Sequence, residues 1–344
     1  MSEDIDINET LLWQDHPKVL EKLLIDHTTS TDTQKKNIFW ATDSYASRGS
    51  GFQFHDEILP DHITGANGKL IQPRALKSQE EQAVRVKDKA EVFTPSWVCN
   101  AQNNLVDDAW FGRSEVFNKE VVTAEGTHTW ISSDSPISFE GTNKTWQDYV
   151  CDKRLEITCG EAPYLVSRYD TVSGLRIEVN HRIGLLDRKL RVISENVDNS
   201  REWIFWAKVA LSSIYGYEWQ GDNLLLAREA IFFTVIDFYE AKFHKRFPKI
   251  SMDGMAYIIS WNLWQMDGLR CVIPDSCNQV YEETQDLFDP QRKLKECPAC
   301  KKGDLKGHIG MKCKIVEWKH SISNRRVTQA KDEEFIQALT TNEI

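Results

Sequence analysis

The feature that most limits how this chain can fold is a strand–turn–helix pattern written twice. Over residues 154–165, RLEITCGEAPYL runs from a short apolar stretch into a glycine-bearing turn, and a helix-like run follows. Over residues 212–219, SSIYGYEW is a second strand-like run, and it enters the apolar segment LLLAREAIFFTVIDFYEAKF. Strands alternating with helices pack as an α/β sheet, and such sheets bind ligands at the carboxyl ends of their strands. The rest of the chain is read around that element. Leu11, Leu12, Leu20, Leu23 and Leu24 are spaced for one N-terminal helix capped by Thr10. Residues 41–70, rich in Gly, Ser, Asp and aromatics, read as short strands and turns. A charged helix is predicted over about residues 77–90, ending at the extended segment EVFTP, and residues 115–148 read as a long polar surface loop or a small excursion.

Composition narrows the class. At 344 residues the chain has room for about two domains. With 41% apolar and 27% charged residues it is neither disordered, collagen-like nor a disulfide-framed mini-protein. No apolar run approaches the length of a spanning helix, and the acidic start MSEDIDINET lacks the basic and apolar regions of a signal peptide. A cytoplasmic protein is expected. Its formal charge of −10 does not favour nucleic acid, although net charge averages over faces.

Two clusters carry chemistry. In the first strand–turn–helix segment, Gly160 lets backbone approach a ligand closely, while helix N–H groups and the acid Glu156 supply hydrogen-bonding groups. In the second, Glu218 stands where a nucleotide-binding unit places the acid that accepts the ribose hydroxyls, and Trp219 beside it suits an adenine face. The other cluster belongs to the eight cysteines, which in a reducing compartment raise the question of metal ligation. Cys297-Pro-Ala-Cys300 is a C-x-x-C knuckle followed by Gly303; with Cys277 upstream and Cys313 downstream it reads as a four-cysteine structural zinc ribbon, His308 and Cys271 being substitutes. From Arg292 to Lys319, nine Lys and Arg face three acidic residues, a local excess suited to phosphate contacts or to a solvated ribbon face. The aromatic group Trp203, Phe205, Trp206, Tyr215, Tyr217 and Trp219 reads as core and subunit interface.

The order EVFTP, EITCGEAPYL, IYGYEWQGDNLLLAREA resembles the S-adenosylmethionine-dependent DNA adenine-N6 methyltransferases of the gamma arrangement, over roughly residues 75–320. The resemblance implies that Phe93, Thr94 and Pro95 cover the methionine part of the cofactor. It implies that Glu156, Cys159, Gly160, Ala162 and Tyr164 form the glycine motif, with Ala162 standing where the family has its second glycine and Ile157 where it has proline. Tyr215, Gly216, Glu218, Leu226, Ala227 and Arg228 match the next motif. For the acid ending the third strand, Glu317 with Trp318 is favoured over Asp267, because a β-branched run precedes it. The fold implied is α/β: a Rossmann-like methyltransferase core at 91–270, an N-terminal mixed α+β region at 1–90, a zinc-ribbon-like basic insertion at 271–316, and a return to the core with a tail at 317–344.

One element of that family is missing. Its N/D-P-P-Y/F/W tetrapeptide binds the target amino group and stacks on the flipped base, and this sequence contains no Pro-Pro pair. DSP at 134–136 and DPQ at 289–291 lie elsewhere and lack the aromatic, and the chain ends fewer than thirty residues after Glu317. No catalytic residue is therefore assigned. The expectation is a split enzyme, with a partner chain supplying the tetrapeptide and the recognition of double-stranded DNA, in a restriction–modification or phage context. A subunit of an RNA or protein amide methyltransferase, or a non-catalytic zinc-containing nucleic-acid-binding or interaction protein on a degenerate fold, are the alternatives.

Overall fold

The structure, a computed structural model, describes residues 8–77, 94–283, 292–304 and 306–341. Phe93 and, Lys77 apart, the helix predicted over 77–90 lie outside the described residues. The N-terminal pattern forms two helices rather than one, α1 (Glu9–Asp15) and α2 (Pro17–Leu24). Pro17 has no N–H to continue α1 and instead opens α2. Asn8, not Thr10, caps α1: its Oδ1 accepts the Leu11 amide at 3.0 Å, while Thr10 Oγ1 accepts the Gly65 amide. Residues 41–70 form turns, two single 3-10 turns (Ala46–Arg48 and Gly65–Asn67) and one short α-helix, α3 (Pro60–Ile63), rather than short strands. After α4 (Ser96–Phe111), the polar stretch is a small excursion: an antiparallel hairpin of β1 (Asn118–Val122) and β2 (His128–Ser132), then α5 (Trp146–Cys151).

The two strand–turn–helix segments build the centre. β3 (Arg154–Glu156) leads through α6 (Leu185–Asn196) and α7 (Ser200–Ser212) to β4 (Ile214–Glu218). That strand leads through α8 (Gly221–Phe243) and α9 (Lys249–Asn262) to β5 (Leu263–Gln265). All three strands are parallel, in the order β3-β4-β5. Every residue of β4 is buried, as a central parallel strand covered on both faces requires. A Cβ on Gly216 in its middle would stand 3.2 Å from Cys159 Sγ, so glycine admits the loop that follows β3. Trp203, Phe205, Trp206, Tyr215 and Tyr217 are core residues.

Arg228 on α8 joins the N-terminal helices to this centre. It is wholly buried, and its guanidinium donates to the carbonyls of Leu23, Ile25, Ser260 and Leu263, closing the carboxyl ends of α2 and α9 together. Leu20, Leu23 and Leu24 accordingly share one apolar core with Met255, Ile259 and Leu263.

Towards the carboxyl terminus lie the hairpin of β6 (Tyr281–Glu283) and β7 (Arg292–Leu294), then α10 (Pro298–Lys302). The hairpin of β8 (Lys314–Ser321) and β9 (Arg326–Glu334) and the final helix α11 (Phe335–Thr341) follow. The β-branched run before Glu317 does form a strand, but it pairs antiparallel with β9 and not with the parallel sheet. The described residues thus make a mixed α/β fold of eleven helices and four small sheets. Among them no helix is long and apolar enough to cross a membrane.

Candidate functional site

The carboxyl ends of the parallel strands gather most of the predicted cofactor residues. Glu156 ends β3, and its carboxylate turns back to accept the amides of Tyr164 at 3.3 Å and Leu165 at 3.1 Å. Burial pushes its pKa well above the usual carboxylate range, against the pull of those two amides, and nearby Glu218 pushes the same way. The loop it holds is tight: Thr158, Gly160 and Ala162 all adopt left-handed φ, of 46°, 54° and 61°. Gly160 does so freely, whereas Thr158 and Ala162 carry strain there. Glu218 ends β4 and meets the same loop, its Oε2 accepting the Gly160 amide at 2.9 Å and its Oε1 that of Gln220 at 3.2 Å.

The FTP segment reaches this loop from the other side. The Thr94 carbonyl accepts from Thr171 Oγ1 at 2.9 Å. Pro95 caps α4, and Asn103 on that helix donates to the carbonyls of Tyr164 and Ile183, both at 3.0 Å. Trp219 turns away from the loop and donates from Nε1 to the Ala41 carbonyl at 3.1 Å, so its ring is half-buried against the N-terminal segment. A cavity beside the loop, lined by Glu161, Pro163, Val166, Arg168, Tyr169, Thr171 and Ala230, leaves about 10 Å³. That is room for one water, where a small-molecule site spans roughly 300 Å³ or more.

The third strand-end acid is not Glu317. Glu317 is exposed on the β8 hairpin, and Trp318 beside it donates to Asn262 Oδ1 at 2.7 Å. Asp267, two residues beyond β5 and buried, occupies the position at the sheet edge. Its Oδ1 accepts the amides of Leu269 at 3.0 Å and Arg270 at 3.2 Å. The β-branched signal identified a strand correctly but could not say which sheet it joins, whereas β5 is only three residues long and follows a helix directly.

A second cluster lies beyond β5. Cys277, Cys297, Cys300 and His308 bring one donor atom each to within 4.8 Å of one another, three of the four residues buried. Cys313 is not among them: it is fully buried elsewhere, with Sγ directed at the Gln265 carbonyl at 3.4 Å. The fourth donor is His308. Its Nε2 stands 2.9 Å from the Asp304 carbonyl, which can only accept, so the proton sits on Nε2 and the Nδ1 lone pair faces the thiols. Nδ1 lies 3.8, 3.6 and 3.4 Å from the sulfurs of Cys277, Cys297 and Cys300. A tetrahedral ion with bonds of about 2.3 Å to sulfur and about 2.05 Å to nitrogen sets that edge at about 3.5 Å. The group can hold a metal ion, and its donors are compatible with zinc. All eight cysteines are free of disulfides.

No family model, curated protein or solved structure matches this chain.

Proposed function

We propose that this chain is the S-adenosylmethionine-binding subunit of a DNA adenine-N6 methyltransferase of a restriction–modification system. It works as a heterodimer whose partner supplies the N/D-P-P-Y/F/W tetrapeptide and recognises double-stranded DNA. The observation that supports this reading most is the meeting of the three cofactor motifs at one sheet edge: the Gly160 amide lies 2.9 Å from Glu218, and Asn103, on the helix that Pro95 opens, donates to the Tyr164 carbonyl at 3.0 Å. When bound, the cofactor supplies an electrophilic methyl group. This chain's own residues bind and orient. Glu218 takes the ribose hydroxyls, aided by Gln220, whose buried Oε1 has no hydrogen-bond partner. Glu156 keeps the glycine loop in place through two backbone amides. Phe93, Thr94 and Pro95 cover the methionine end, and Asp267 serves as the third strand-end acid of a Rossmann-like core. The ion at the Cys/His cluster is a structural zinc, since four protein donors leave no open position. The protein acts in the cytoplasm.

A second reading is a non-catalytic zinc-containing interaction protein on a degenerate fold. It is favoured by the closed state of the loop, where Gly160 and Glu218 satisfy each other beside a cavity of about 10 Å³. Calorimetric titration of S-adenosylmethionine into the full chain, alone and co-purified with the product of the adjacent reading frame, separates the two. The methyltransferase reading expects saturable binding, at least in the complex, lost in Glu218→Ala, and methyl transfer to DNA only by the complex. Absence of binding in both preparations overturns it.

A further inference from the structure

The metal cluster is wired to the sheet edge through a single turn. From Asp267 the chain reaches Cys277 in ten residues. The turn is tight: the Asp267 amide donates to the Val272 carbonyl, and the Cys271 amide to the Asp267 carbonyl, each at 2.8 Å. Cys271 within it and Asp275 just beyond it hold left-handed φ of 55° and 60°. Such residues are strained and persist only where the surroundings over-determine them.

Residues 310–313 supply much of those surroundings. Ile273 donates its amide to the Met311 carbonyl at 2.8 Å, and the Met311 amide donates to Ser276 Oγ at 3.1 Å. Val272 bridges to Lys312, and the Cys313 amide donates to the Cys271 carbonyl at 3.3 Å. This second segment begins two residues after His308. Both halves of the arrangement therefore run directly into a metal donor, Cys277 on one and His308 on the other. Val272 is 1% exposed and packs in one apolar cluster with Cys277, Cys297 and Ala299.

We propose that one zinc-type ion, bound by the thiolates of Cys277, Cys297 and Cys300 and by His308 Nδ1, clamps the turn over residues 267–273 and thereby fixes Asp267 at the carboxyl end of β5. The ion cross-links the two segments that shape the turn, and without it the strained backbone is left to those hydrogen bonds and to the packing of Val272 and Ile273. This inference rests on the assignment of a metal to the cluster, and not on any cofactor.

The test uses the full chain. Metal content is measured as isolated, then backbone hydrogen exchange is followed before chelation, after it, and after zinc is restored. One equivalent of metal per chain is expected. On removal, protection over 267–273 and 310–313 falls at least about tenfold, while α6 and α7 hold within about twofold, because local opening need not involve the whole fold. His308→Ala lowers zinc affinity more than about 100-fold, beyond the 10- to 100-fold that outer-shell changes produce. His308→Cys retains the metal, as does Cys313→Ala. A chain that binds no metal overturns the site, and full affinity in His308→Ala or loss in Cys313→Ala overturns the donor set. Unchanged exchange over 267–273, or loss of protection throughout the chain, overturns the clamp. None of these measurements reads S-adenosylmethionine, so their failure is distinct from failure of the methyltransferase reading.

Discussion

The sheet edge and the cysteine–histidine cluster are neighbours with opposite polar economies. At the edge, Glu156 accepts the Tyr164 and Leu165 amides and Glu218 those of Gly160 and Gln220, so these buried acids are met by the protein itself. In the cluster, three thiols and the Nδ1 lone pair point at one another across 4.8 Å or less. A cation is what such a set of converging electron pairs is suited to hold. A self-satisfied site of that kind has to open to take a ligand, whereas a set of donors already converging on one point takes an ion without rearrangement.

The largest effect is expected at the protein-only side. Arg228→Ala leaves the carbonyls of Leu23, Ile25, Ser260 and Leu263 without their donor, and should lower unfolding stability by about 3–5 kcal/mol in urea titrations, with or without chelator. A loss that appears only after chelation would mean that the metal, and not Arg228, holds the N-terminal helices.

Next comes a pair of acids that neither economy covers. Glu9 on α1 and Glu229 on α8 are buried, and Glu9 Oε1 and both Glu229 oxygens have no hydrogen-bond partner. Burial raises Glu9 from 4.5 to about 8 and lifts Glu229 well above its ordinary value, Glu9 adding to the latter. Between pH 4.5 and about 8 the folded chain therefore keeps protons that the unfolded chain has released, and stability falls as pH rises through that window. Glu229→Met should raise stability at pH 8 by on the order of 2–3 kcal/mol and change little at pH 4.5. An equal gain at both pH values would show that packing, and not charge, decides.

Smaller effects belong to the glycine loop. Glu218→Ala removes the acceptor of two backbone amides, one of them buried, and should cost about 1–3 kcal/mol of folding stability even without any cofactor. An unaltered denaturation midpoint would mean the loop does not depend on that contact. Ala162→Gly should stabilise by about 1 kcal/mol, because φ of 61° strains alanine and not glycine. A loss instead would place the loop in another conformation.

Legibility followed sequence distance. The parallel strands β3 and β4 and the helix after β4 were readable because apolar runs, a glycine turn and a strand-end acid lie within a few residues of each other. The split between α1 and α2 is equally local, yet the leucine spacing outweighed Pro17, whose missing N–H ends the first helix. The strand before Glu317 was readable as a strand, while its partner was not, since β-propensity carries no information about which edge is free.

The sequence was enough to bring the Cys297 and Cys300 thiols together, because two thiols at C-x-x-C spacing can reach one ion in almost any context. It also placed Glu156, Gly160 and Glu218 at strand ends. The tertiary structure decided that His308 and not Cys313 completes the cage, and that Asp267 and not Glu317 stands at the sheet edge. Those choices rest on how segments tens of residues apart are laid together, and that is set by the core they bury, not by the spacing of the residues themselves.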